Sequence, residues 1–356
     1  MKKIKLYIGS VICLLGCVTL LNSCTDNGIS GPDTSGIQLE LKTYRFDTDL
    51  YALDSNNIET GLVKLKEKYP QFLDFFLDTL MAYGLNGNYS DTMPGIREGL
   101  IPFITFKDYA ELEQYIKQQY PDTKETDKSL TEGFKTLKYY FPNITVPDIY
   151  YLNLGLSRWT AFPVDSNTQC IALDMFLGDD FPHYASVNEP AYMKQHRRST
   201  YIPVSVFSSL FRLAYPLKTQ EKNLLELMLQ RGKEQYFLHC ILPGTPDSVL
   251  LGFNAEQTKW CEENEAFVYN FFVRNELLFN KEAMTIMSYI TDGPFARGIE
   301  PPSNEKKVTP GNIGTWLGYK MIKSYMQQHK DMTLQKLLAT EFNPTTFLAD
   351  AKYKPR

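Results

Sequence analysis

Cysteine is scarce in this chain: six in 356 residues, and three of those, Cys13, Cys17 and Cys24, fall at the start. The others, Cys170, Cys240 and Cys261, form no CxxC pair, which excludes a redox dithiol and a zinc ribbon. Three thiols close at most one intramolecular bridge, and Cys170 and Cys240, set in apolar runs, are expected as small core residues. The four histidines, His183, His196, His239 and His329, all lie more than four residues apart. A metallopeptidase helix needs two of them one turn apart on one face, so no single helix here supplies a zinc site of that kind. GxSxG, GxGxxG and the P-loop are absent as well, which weakens an α/β-hydrolase reading and argues against nucleotide binding by those routes. No motif calls for a metal or a cofactor. An excess of positive charge is missing too: 37 Lys plus Arg stand against 41 Asp plus Glu, so nothing marks a nucleic-acid partner.

Only one stretch of the chain is apolar over a long distance, and it comes first. Lys2, Lys3 and Lys5 precede a charge-free run over residues 6–21, the anatomy of a secretory signal. The run is short for a membrane-spanning helix, which needs about 20 apolar residues. It closes in Leu21-Asn22-Ser23-Cys24, which resembles a bacterial lipobox; the rival Leu14-Leu15-Gly16-Cys17 would leave the apolar residues 18–21 on the mature end. Cys24 is therefore the expected lipid-attachment residue, carrying palmitate-type acyl chains that anchor the protein to a bacterial membrane. The following residues, with Gly28, Gly31, Gly36 and Pro32 among Ser and Thr, read as a flexible tether roughly 20 Å in mean extension. Cleavage before Cys24 removes three lysines and no acid, so an acidic body should be held by the lipid alone rather than by lying on anionic headgroups. The expected organisation is a signal peptide at 1–23, a lipidated cysteine and tether at 24–38, and one globular domain at 39–356.

Within that domain the sequence is rich in aromatics, with 23 Tyr and 22 Phe, suited to large core payloads or to contact surfaces. Partial alternation over residues 39–50 predicts an opening strand. Helical spacing predicts helices over 57–69, 72–83, 107–119, 129–140, 204–215, 218–229, 233–239, 256–279, 281–290 and 313–328. Short β-type runs at 149–152, 159–162 and 170–173, separated by turns, predict an antiparallel meander. The fold class that follows is α+β and helix-rich, with a small central antiparallel or mixed sheet and surrounding helices.

A few residues stand out as carriers of chemistry. Residues 171–180 end an apolar run with Asp174, Asp179 and Asp180, which fits a cation or sugar site or an acid–base pair, and equally a strand-end aspartate followed by a solvated turn. Arg158, Arg212 and Arg297 are candidate buried or interfacial guanidiniums, Arg297 being placed in a turn-like loop. Gly314 and Gly318 flank Trp316 at the start of the last long helix, where a neighbouring backbone can approach closely. Asp174, Asp180, Arg297 and Trp316 are the candidates for a site or an interface.

Several segments in order resemble one family. These are residues 41–47 (LKTYRFD), 65–72 (LKEKYPQF), 139–142 (YYFP), 171–178 (IALDMFLG), 257–265 (QTKWCEENE), 310–318 (PGNIGTWLG) and 351–355 (AKYKP). Together with the lipobox they are similar to the GldB family of gliding-motility lipoproteins over nearly the whole mature chain. The resemblance implies an envelope lipoprotein tied to surface motility and the associated secretion machinery, its body in the periplasm or at the cell surface; the lipobox, the tether, the aromatic richness and the missing catalytic motifs lead to the expectation that it is non-catalytic and works through contacts with other envelope proteins in an assembly. The resemblance brings no catalytic residues, and only Cys24 carries over as a site. The layout is also remotely similar to zincin peptidases, with Ser208-Ser209-Leu210-Phe211-Arg212 where HExxH would stand; that likeness implies a metal-free, inactivated version. The alternative function is a periplasmic hydrolase or carbohydrate-active lipoprotein working through carboxylates such as Asp174 and Asp180.

Overall fold

The computed structural model describes residues 31–299 and 308–355. Cys24 and the signal-like segment lie outside the described residues. The chain enters as an irregular stretch, with Gly31 against the ring of Pro243 and a turn closed by Ile37 N–H on Thr34 O at 2.9 Å. The first regular element is the short strand β1 (Thr43–Arg45), which passes directly into helix α1 (Phe46–Tyr51). The strand expected over 39–50 is thus confined to three residues. The chain turns helical at Phe46, where Asp47 and Asp49 sit in the first turn and favour the positive helix end.

A helical layer follows: α2 (Ile58–Lys68), α3 (Phe72–Asp74) continued by a π-helical turn over Phe75–Leu80, a second π-helical turn over Gly95–Leu100 leading into α4 (Ile101–Thr105), α5 (Lys107–Gln119) and α6 (Lys124–Tyr140). Then come strands β2 (Asp148–Leu152), β3 (Ala161–Asp165) and β4 (Thr168–Ala172). The sheet order is β1-β2-β4-β3. β2 runs parallel to both β1 and β4, and only the β3–β4 pair is antiparallel, with a register shift between Pro163 and Asp165. The segment is therefore a mixed sheet rather than the expected meander: β4 leaves its hairpin partner β3 on the outside and lies between it and β2. The burial explains the placing, because Gln169 through Ala172 of β4 are all buried, as a central strand requires, whereas β3 is half-exposed along its length.

The second half is helical: α7 (Ile202–Ala214), α8 (Leu224–Ile241), α9 (Asp247–Leu251), α10 (Ala255–Glu263), α11 (Glu265–Arg274), α12 (Ala283–Met287), α13 (Ile313–Gln328), α14 (Leu334–Ala339) and α15 (Pro344–Asp350). Two helices expected at 218–229 and 233–239 are one, α8. It starts at a reciprocal cap in which Asn223 Oδ1 accepts from Glu226 N–H and Glu226 Oε2 accepts from Asn223 N–H, both at 3.0 Å. It then runs straight through Gly232, which is buried against α13. The helix expected over 256–279 is split instead, at Asn264, into α10 and α11. α8 and α13 are buried nearly all round and form the axis of this half, while α7 packs against β3 and β4 and so joins the axis to the sheet. All three cysteines of the body are buried free thiols. No helix of the described residues is long and apolar enough to cross a membrane.

Candidate functional site

One polar feature grows from α8. A helix that is apolar on nearly every side carries Arg231, Lys233, Glu234 and Gln235 in its middle. Glu234, whose side chain is 3% exposed, receives Arg212 Nε at 2.7 Å on one oxygen and Arg231 Nη1 at 2.8 Å on the other. Arg212 comes from the last turn of α7, and Arg231 lies one turn before Glu234 on α8. Both carboxylate oxygens are thus occupied and two guanidiniums face one acid, which leaves the triad with a net positive charge. Pairing of this kind is what a buried carboxylate requires.

Two depressions share this triad, and a third adjoins the second of them. The first, about 290 Å³, has an apolar floor that includes Phe211, Tyr215, Leu229 and Phe342 and a cationic rim that includes Lys218 and Lys222. Lys233 also lines it; its ammonium donates to Thr340 O, lies 4.8 Å from the centre of the Phe342 ring, and is pushed down to about 8 by burial, with Glu341 opposing. The second, about 150 Å³ and mostly polar, is lined by Tyr201, Ser208, Gln235, Asp292, Asn312 and Thr315. Arg212, Arg231 and Glu234 form a wall common to both. Asp292 and Asn312, joined by an Asn312 Nδ2 to Asp292 Oδ1 bond of 2.9 Å, are shared in turn with a third, small recess beside His196.

The far end of this row depends on one backbone conformation. Gly252 ends α9 with φ +69°, and a β-carbon there would stand 1.8 Å from His196 Nε2. Only glycine leaves room for that ring, which stacks on Tyr201 with centroids 4.4 Å apart and planes 3° from parallel. Burial holds the His196 ring below its ordinary value, so it is neutral near pH 7, and burial pushes the Tyr201 hydroxyl well up, with Asp292 adding in the same direction. Two polar atoms of the row, Arg231 Nε and Gln235 Oε1, are buried without a hydrogen-bond partner.

The candidates singled out in the sequence fall elsewhere, and among the described residues no hydrogen bond or ion pair joins any two of them. Asp174 is fully buried just beyond β4 and accepts backbone N–H groups from Leu154 at 3.2 Å and Leu156 at 2.7 Å. Burial raises it to about 6 against the pull of those bonds. Asp180 is exposed, and its neighbour Asp179 pairs with Arg198 at 2.5 Å. Arg297 is exposed and its carbonyl accepts from the Tyr289 hydroxyl at 2.9 Å. Trp316 is buried in α13 with Lys320 Nζ 6.0 Å from its ring centre. Cys24 lies outside the described residues. Arg212, read from the sequence as a buried or interfacial guanidinium, does belong to the polar row. Residues 208–212, compared above with a zinc motif, are on α7, and no three His, Cys, Asp or Glu side chains of the described residues are grouped so as to hold a metal ion. Arg231, Glu234 and Gln235 escaped the sequence reading; the signal was a polar stretch over residues 230–235, broken only by Gly232, inside a largely apolar helix.

Compared with known proteins, residues 28–355 match a family model described as gliding motility protein GldB. No curated protein and no solved structure matches the chain.

Proposed function

Since this chain belongs to the GldB family of gliding-motility proteins, we propose that it is an envelope lipoprotein, acylated on Cys24 and held at a bacterial membrane by that anchor, whose body acts by contact with other envelope proteins rather than by catalysis. The observation that carries this reading is where the family match begins. It starts at residue 28, four positions after the cysteine of the Leu21-Asn22-Ser23-Cys24 segment, so the part common to the family opens where a signal of that kind would have been removed. The body offers contact surfaces of more than one type: exposed Asp180 and Arg297, and the cationic row along Arg212 and Arg231. Asp174, held by two backbone N–H groups, serves the fold at that position.

The test is metabolic labelling of cells with an alkyne analogue of palmitate. Full-length protein should carry the label and sediment with membranes; Cys24→Ala protein should carry none and be lost from the membrane fraction. Label on the alanine variant would overturn the anchor. Recovery of the lipidated protein from gently solubilised membranes should bring reproducible envelope partners that the alanine variant lacks; their absence from both would overturn the contact reading and return attention to carboxylate chemistry.

A further inference from the structure

The row of depressions across α7, α8 and the start of α13 has more hydrogen-bonding capacity than the fold uses. Glu234 spends both oxygens on two arginines, yet Arg231 Nε stays without a partner, and so does Oε1 of Gln235, a residue 9% exposed that lines the central cavity. Buried groups left in this way cost stability unless a water or a bound molecule meets them, and together they call for one acceptor and one donor. The charge of the outer cavity narrows what a bound molecule would be. Its walls hold five cations, from Arg212, Lys218, Lys222, Arg231 and Lys233, against three carboxylates, in a chain whose net charge is −4. A locally positive groove in an acidic protein selects for an anion. Shape narrows it further. The space is a row of adjoining recesses that share walls rather than one closed chamber, and the outer recess has the aromatic floor of Phe211 and Phe342.

We propose that this row binds an extended peptide segment of a partner protein, with a carboxylate of the segment forked onto Arg212 and Arg231. An extended chain rises about 3.3 Å per residue and presents N–H and C=O groups along its length, which match the polar lining of the middle recess, where Gln235, Ser208 and Asn312 stand. A planar carboxylate matches the guanidinium fork, and an apolar side chain next to it covers the aromatic floor. The carboxylate belongs either to the segment's C-terminus or to an acidic side chain. This inference rests on the reading of the chain as a contact protein and names the surface and the chemistry of the contact.

The experiment uses full-length protein in mild detergent and fluorescein-labelled octapeptide pools followed by anisotropy. One pool ends in an apolar residue with a free carboxylate, a second is the same pool amidated, and a third is amidated with one internal glutamate. Saturable binding of the first or the third pool, weakened at least about tenfold when the carboxylate is removed, is expected, and which of the two binds identifies the source of the carboxylate. Arg212→Gln should weaken binding about tenfold or more. Lys218→Gln, on the rim, 69% exposed and facing the likewise exposed Glu341, should weaken it about threefold and flatten its salt dependence while leaving thermal unfolding unchanged. Equal binding of the acid-free amidated pool, equal competition by free glutamate, unaltered binding by the Arg212→Gln protein, or no binding of any pool would each overturn the proposal. Loss of peptide binding with palmitate labelling and partner recovery intact would count against the groove alone, whereas a failure of labelling and partner recovery would count against the contact reading itself.

Discussion

Gly232 of α8 and Gly318 of α13 meet backbone to backbone: a β-carbon on Gly232 would lie 2.4 Å from both the carbonyl carbon and the oxygen of Gly318, and one on Gly318 would lie 1.9 Å from Met228 O. The two central helices therefore cross at a point where neither has a side chain, and the polar residues that follow Gly232 are held at a fixed height beside α13.

Alanine at either glycine should force that crossing apart. Gly318→Ala is expected to cost about 3 kcal/mol, at the upper end of overpacking effects, because the obstacle is backbone that has no rotamer to change. Gly36→Ala, where nothing lies within 4 Å, should be close to neutral. Urea titration of the three proteins, followed by far-UV circular dichroism, checks the ranking.

The two arms of the triad should respond unequally. Glu234→Gln leaves Arg231, 17% exposed, without its counter-ion and is expected to cost about 2 kcal/mol; Arg212→Gln, whose side chain is 57% exposed, should cost less than about 1 kcal/mol. The same denaturation assay reads both. A larger loss from the arginine would mean that the pair depends on Arg212 more than its exposure allows.

Asp174→Ala removes the acceptor for two backbone N–H groups in a fully buried site and should destabilise by about 2–4 kcal/mol. Retained stability with loss of a measured hydrolytic activity would instead place Asp174 in chemistry.

Glu113 makes stability fall as pH rises. It is 1% exposed, and burial, with Asp47 adding to it, raises its carboxyl from 4.5 to about 7, against the opposing pull of Asn153, Lys117 and Arg45. Between those two values the folded chain holds a proton that the unfolded chain has released, so the fold loses support across pH 4.5 to 7 and bears the full cost above. Asp174, raised from 3.8 to about 6, gives a slope of the same sign over its own range. Glu113→Gln keeps an oxygen for Asn153 Nδ2 and carries no charge. It is expected to leave the melting temperature unchanged near pH 4 and to stabilise by up to about 3 kcal/mol at pH 8. Melting curves of both proteins across that range decide it.

What the sequence makes legible follows from how one-sided each element is. α5 occupies the predicted 107–119 and α13 the predicted 313–328, since regular apolar spacing bounded by polar residues fixes both ends. α8 has no such contrast. Its buried residues lie on every side, so periodicity has nothing to register and Gly232 reads as a break, although its missing side chain is what lets the helix continue past α13. The order of the strands is hidden for a different reason. Short apolar runs show where strands are but not which are neighbours, and the pairing of β1 with β2 joins Thr43 to Ile149 across more than a hundred residues. The polar row is hidden for that reason as well: Arg212, Glu234, Asp292 and Asn312 come from four segments, and only the packing of α7 and α13 on α8 brings them to one wall.

The contact between Gly31 and Pro243 sets a limit on reach. A chain fastened to a bilayer at Cys24 has only the seven steps from there to Gly31 to pay out before it touches the body, at most about 25 Å when drawn straight. Pro243 lies just past the end of α8, so on such a leash that end of the axis must stay within about 25 Å of the lipid headgroups, and the body can swivel but not wander. Partners would then be met at one altitude above the membrane, with the far end of α8, where Lys222 and Lys218 stand, free to swing outward by the length of the helix, about 27 Å for its 18 residues.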